Sequence, residues 1–142
     1  MKQTREHFVL LNPDTMPKAS GYSQAAEISH GTIVYIAGQV ALDKAGQLVG
    51  KGDFRAQAQQ VFENLKAAVE AAGGSFQDVI KLNYYFLDMA QLSAMREVRD
   101  KFINTDRPPA STAVQVSRLF REEFLIEVEA IAVVGAEDSP TS

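Results

Sequence analysis

The strongest constraint on the fold is an alternation near the C-terminal end of the chain. Ile126, Val128, Ala130, Ala132 and Val134 fall on one side, and Leu125, Glu127, Glu129, Ile131 and Val133 on the other. A period of two residues makes this a β-strand with two distinct faces. The first face is uniformly apolar and needs a core. The second mixes two carboxylates with branched apolar side chains, and solvent alone would not place Ile131 and Val133 after them. That face is expected to meet another subunit or a small polar ligand, and it is the first place to look for function. The stretch leading into it, from Asp106, reads as a Pro-stiffened loop, a strand and a short charged turn.

Earlier in the chain, 7–11 reads as a short edge strand, Asn12-Pro13-Asp14 as a turn, and 12–20 as irregular. Two β-rich runs, 25–29 and 32–37, flank the tight turn His30-Gly31 and are expected to pair as a hairpin. A glycine-punctuated excursion fills 41–51. Asp53 then caps a helix whose apolar stripe is Phe54, Ala58, Val61, Phe62, Leu65, Ala68, Val69 and Ala72. Gln57, Gln59, Gln60, Glu63, Lys66 and Glu70 fall mostly off that stripe, and Gly73-Gly74 stops the helix. The run 79–87 is a strand that sends Tyr84 and Phe86 one way and Tyr85 the other. Asp88 caps a second helix with Leu92, Met95, Val98 and Phe102 inward, and Arg96, Glu97, Arg99, Asp100 and Lys101 as its polar side. Pro108-Pro109 prevents that helix from continuing.

The order β-β-β-α-β-α-β-β predicts an α+β two-layer sandwich: a mixed, mostly antiparallel sheet with both helices on one face. The chain of 142 residues is expected to form a single domain over 1–134, with 1–19 as an N-terminal extension and 135–142 as a disordered polar tail. One sheet face is left without helices, so a homo-oligomer is expected. There is no cysteine, hence no disulfide, thiol nucleophile or thiolate metal site. The net charge of −4 speaks against nucleic acid as a partner. No run approaches the ~20 apolar residues of a membrane span, and the N-terminal residues lack the apolar core of a signal peptide. The expectation is a cytoplasmic protein with no membrane partner. His7 and His30 sit far apart in sequence, so no metal or catalytic role is read into them.

Three segments taken together, Y-I-A-G-Q-V-A-L-D, E-A-A-G-G-S-F-Q-D-V-I-K-L and V-Q-V-S-R-L…I-E-V-E-A-I-A, resemble the RidA family, also called YjgF. The resemblance covers roughly Gly21 to Val134. It implies a chorismate-mutase-like fold, a homotrimer with clefts between subunits, and hydrolysis of reactive enamines and imines without metal or cofactor. The substrates it implies are of the 2-iminobutanoate and 2-iminopropanoate kind. Residue by residue, the family's cleft tyrosine corresponds to Tyr22 in G-Y-S-Q, with Gly21 in place of proline. The glycine-glutamine pair corresponds to Gly38 and Gln39, with Ala37 in place of serine. The glutamate that positions water corresponds to Glu127. The arginine of the family's P-A-R-S motif corresponds to Ser111 in P-A-S-T.

That last departure has a physical consequence. A guanidinium grips a carboxylate through a planar fork of donors, whereas a serine offers one hydroxyl and no charge. Losing such a pair in a desolvated cleft costs on the order of 2–5 kcal/mol of binding. Arg107 lies four residues upstream, roughly 13 Å along an extended chain; a folded loop, or Arg96 on the second helix, could supply a cation instead.

Glu127 is therefore either a water-positioning base or a carboxylate paired at an interface. Tyr22 either closes over a ligand or is a packed tyrosine with a satisfied hydroxyl. Ser111 either donates to a ligand or bonds its own loop. Three functions are carried forward. The first is imine or enamine hydrolysis of a small metabolite in inter-subunit clefts, with Glu127 and Tyr22 catalytic and Gly38, Gln39, Ser111 and Arg107 holding substrate. The second is a non-catalytic trimeric ligand-binding or regulatory protein. The third and least supported is a ribonuclease or translation inhibitor.

Overall fold

The computed structural model describes residues 2–5 and 7–135, with side chains from His7 onward. The element order is β1 (Lys2–Arg5), β2 (Phe8–Leu11), β3 (Ala25–Ile28), β4 (Thr32–Gln39), α1 (Phe54–Ala71), β5 (Val79–Phe86), α2 (Leu92–Arg99), β6 (Ala110–Gln115) and β7 (Ile126–Val134). The main sheet has the order β4-β7-β5-β6. β7 lies antiparallel to both β4 and β5, and β6 runs parallel to β5. This is the mixed, mostly antiparallel α+β arrangement that the element order predicts.

Helix α1 starts where Asp53 accepts the Ala56 N–H at 3.1 Å, satisfying one of the donors that a helix N-terminus leaves open. It ends before Gly73, whose φ of 85° takes the left-handed conformation that glycine adopts without steric cost. Its buried stripe of Phe54, Ala58, Val61, Phe62, Leu65 and Val69 meets Met95 and Val98 of α2. Both helices share a core with Leu82, Tyr84 and Phe86 of β5 and with Ile126, Val128, Ala130 and Ala132 of β7. They therefore cover one face of the main sheet. Phe62 and Leu65, both fully buried, each contribute about 1.5–3 kcal/mol. Asp88 caps a 3₁₀ turn, Met89–Gln91, that runs directly into α2.

Several details differ from expectation. The runs that become β3 and β4 do not form a hairpin: β3 pairs with β2, β4 pairs with β7, and the two belong to different sheets. Local turn chemistry at His30-Gly31 is real, since Gly31 has φ 110°, but each strand finds its partner far along the chain. A further strand, β1, extends the N-terminal run into the three-stranded sheet β1-β2-β3. This small sheet lies over one end of the main sheet's helix-free face, where Phe8 and Leu10 bury Ile80 and Val133. Val133 is thus covered by the chain's own N-terminal strands. Leu125 turns to the helix side and packs on the main core. Gln57 and Arg99, placed by sequence on polar helix faces, are buried. The expected tail, from 136 onward, lies outside the described residues.

Candidate functional site

The alternation of β7 delivers Glu127 and Glu129 to the helix-free face, half-buried, in the part that the small sheet leaves uncovered. β5 presents Tyr85 and Asn83 directly opposite them. The Tyr85 hydroxyl donates to a Glu129 carboxylate oxygen. That bond, followed by desolvation and the two neighbouring carboxylates, pushes the Tyr85 hydroxyl above its ordinary value. Glu127 is raised as well, first by desolvation and then by the negative charge of Glu129.

On the other flank, the β4–β7 register shifts between Ile36 and Gln39. A bulge of this kind re-aims the strand locally, and it carries Gly38 onto the Glu127 side chain. A Cβ on Gly38 would overlap the carboxylate, reaching 2.9 Å from the Glu127 Cδ. Only glycine leaves room for the carboxylate where it sits. Gln39 donates its side-chain amide to the Ala37 carbonyl at 2.9 Å. Gly38 and Gln39 also line a shallow groove of ≈ 500 Å³ with Leu42, Asp43, Gln60 and Asn64.

Tyr22 belongs to a different neighbourhood. The Ser23 N–H donates to Pro109 O at 3.1 Å and its hydroxyl to Pro108 O at 2.7 Å, and Ser23 forms a parallel bridge with Ala110. Tyr22 is thereby held beside the start of β6, lining a cleft of ≈ 550 Å³ with Asn12, Met16, Lys18, Thr105 and Asp106. Ser111 is the next β6 residue after that bridge. It pairs with Leu82, a residue of the helix-side core, so Ser111 occupies the helix-side face of an edge strand. Glu127 and Ser111 thus lie on opposite faces of the main sheet, with β5 between their strands. Arg107 joins neither group; its guanidinium stands 5.4 Å over the Phe8 ring.

Five of the six residues singled out by sequence therefore fall into two half-sites. Glu127, Gly38 and Gln39 occupy one, Tyr22 and Ser111 the other, and a single chain does not bring the halves together. Sequence reasoning missed two further features. Arg99 is buried and donates to the Gly21 carbonyl at 2.7 Å, bringing the basic side of α2 against the Tyr22 segment. His7 and His30, remote in sequence, have ring centroids only 6.4 Å apart, because β3 returns the chain beside β2. His7 is fully buried, with Nε2 3.1 Å from Asp78, which gives it a structural partner. The only signal for that pairing was the β2–β3 register, which local patterning does not reveal.

The family model described as Endoribonuclease L-PSP matches residues 13–134. A RutC family protein of Pyrococcus horikoshii is 47% identical over 121 residues, covering 84% of this chain and 92% of that protein. A protein of Dermatophagoides farinae named 2-iminobutanoate/2-iminopropanoate deaminase is 34% identical over 126 residues, covering 88% of this chain and 95% of that one. Among solved structures, YyfB of the Rid family from Yersinia pestis superposes with a TM-score of 0.82 at 36% identity, covering 90% of this chain and 99% of that one. With the fold, the length and the sequence all in agreement, this chain belongs to the RidA/YjgF family.

Proposed function

We propose that the protein is a homotrimer that hydrolyses a small imine or enamine to a carbonyl product and ammonia, in clefts where one subunit's Glu127 half-site faces another subunit's Tyr22–Ser111 half-site. The observation that carries this reading is the Glu127 carboxylate itself. It is half-buried, raised in pKa and given its position by Gly38, on a sheet face that the chain leaves open. A carboxylate so placed orients water and takes its proton as the water oxygen bonds to the C=N carbon. Glu127 returns that proton to the nitrogen, giving the carbinolamine, whose hydroxyl proton then passes to nitrogen as the C–N bond breaks, leaving the carbonyl and releasing ammonia; an enamine reacts as its imine tautomer. Tyr22 and Gln39 line the cleft, and the Ser111 hydroxyl offers one neutral donor to the polar end of the substrate. Neither half-site suffices alone, which is why assembly belongs to the proposal.

A coupled assay tests it. Threonine dehydratase supplies the imine, and keto-acid release is followed with a trapping nucleophile present. The wild-type protein accelerates release, and Glu127→Gln lowers that acceleration by about 10²–10⁴-fold, the usual contribution of a positioned general base. Absence of acceleration by wild type would sink the hydrolase reading. Ser111 in the arginine position favours a second reading, ligand binding without turnover; its mark would be ligand-dependent stabilisation of the assembly with no product.

A further inference from the structure

The basic side of α2 lies against Gly21, two residues before the Ser23 bridge to the start of β6, and there Arg96 has no carboxylate partner among the described residues. Atoms of the Arg96 and Arg99 guanidinium groups both come within 3.5–3.6 Å of the point that a Cβ on Gly21 would occupy. Arg99, 4% exposed, is well satisfied. It donates to Gly21 O at 2.7 Å, and to the Asp100 carboxylate from Nε at 3.1 Å and Nη2 at 2.8 Å. Arg96 is half-buried, and among the described residues it meets no carboxylate or carbonyl at bonding distance.

Close by, Tyr84 is 2% exposed. Its hydroxyl faces Arg99 but reaches hydrogen-bond geometry with no group among the described residues. The guanidinium can only donate, so the hydroxyl hydrogen is left without an acceptor, which a ligand oxygen would supply. Burial pushes this hydroxyl up to about 12 against the opposing pull of Arg99 and Arg96, so at neutral pH it remains a donor. In the β5–β6 ladder Tyr84 pairs with Ala113 and Leu82 with Ser111, so the Ser111 hydroxyl lies on the same sheet face one pleat away. The acidic group nearest this cluster, Asp100, is already engaged by Arg99.

We propose that Arg96, with the Tyr84 and Ser111 hydroxyls, forms a carboxylate-binding site between α2 and the edge of β6, beside Tyr22. The acidic group of the substrate is taken from the helix side, by a cation that α2 supplies in place of one at position 111. Identifying the ligand as the substrate's carboxylate rests on the hydrolase reading; the site itself does not.

Binding of stable ligands separates the two. Calorimetry on the assembled full chain compares 2-oxobutanoate with its neutral amide. Wild type binds the acid at least about tenfold more tightly than the amide, as a charge-assisted contact demands. Arg96→Met, which keeps the apolar stem, abolishes that preference, and Arg96→Lys retains only part of it because ammonium lacks the fork. Equal binding of acid and amide by wild type would overturn the proposal. So would a preference that survives Arg96→Met, or, should that variant not fold, one left undiminished in Arg96→Lys. No turnover is read, so an inactive protein that still shows Arg96-dependent preference for the acid would defeat the hydrolase reading and leave the site standing.

Discussion

In the proposed reaction, Glu127 concentrates the conflict between stability and function in one side chain. Its pKa is raised in the folded chain by desolvation and by Glu129, so the native state holds a proton that the unfolded chain has already released. Between the ordinary carboxylate range and the raised native value, stability therefore falls as pH rises. Below that window the carboxyl is neutral in both states and the penalty vanishes. Glu127→Gln is accordingly expected to raise Tm at neutral pH and to leave it unchanged near pH 3, while turnover collapses; thermal melts at the two pH values check this. Gly38→Ala probes the same atom from outside. Its obstacle is the far end of a flexible side chain, so Tm moves little, but the carboxylate must shift and keto-acid release falls by about tenfold or more. The mixed face of β7 was legible from alternation alone. A glycine at position 38 is expected from sequence for backbone geometry, but its φ is not positive; the reason it is needed, the Glu127 side chain overhead, depends on a bulge that local patterning does not reveal.

The elements divide by how local their causes are. Helix α1 could be read from Asp53, its apolar stripe and Gly73, since each signal lies within the segment it shapes. The β3–β4 hairpin was misread because both strands take partners outside the segment. Gln57 shows the same limit within a helix. It looked like a solvent-facing glutamine, but it donates to Gly50 O at 3.1 Å and Glu123 O at 2.8 Å and accepts from Leu125 N at 2.9 Å. It ties α1 to the turn before β7 and so holds the register that delivers Glu127. Gln57→Ala takes the partner from three part-buried backbone groups, each loss costing up to about 1–3 kcal/mol. Chemical denaturation should show at least about 2 kcal/mol of destabilisation on that basis; a loss under 0.5 kcal/mol would mean that the turn repairs itself.

The molecule as a whole is an asymmetric sandwich with one unfinished face. Helices close one side of the main sheet, and the small N-terminal sheet closes one end of the other. Beyond that end, Tyr35 at 79% exposure, opposite Ile131, and Val114 at 40%, opposite Tyr85, flank the half-buried carboxylates. Such a surface calls for a partner, and in the proposed reading that partner is another copy of the chain, which would join the two half-sites. Sequence patterning pointed to an assembly but could not show that the candidate residues fall on opposite faces of one sheet, which only the strand order β4-β7-β5-β6 reveals. Mixing two inactive variants tests this claim most directly. Glu127→Gln and Tyr22→Ala subunits are each assayed alone, then unfolded together, refolded in equal amounts and assayed again. If a cleft draws one half-site from each of two subunits, random reassembly pairs two intact halves in about a quarter of the clefts, and activity returns to about that fraction of wild type. If the mixture stays as inactive as its components, each chain builds its site alone and the shared-cleft account is wrong.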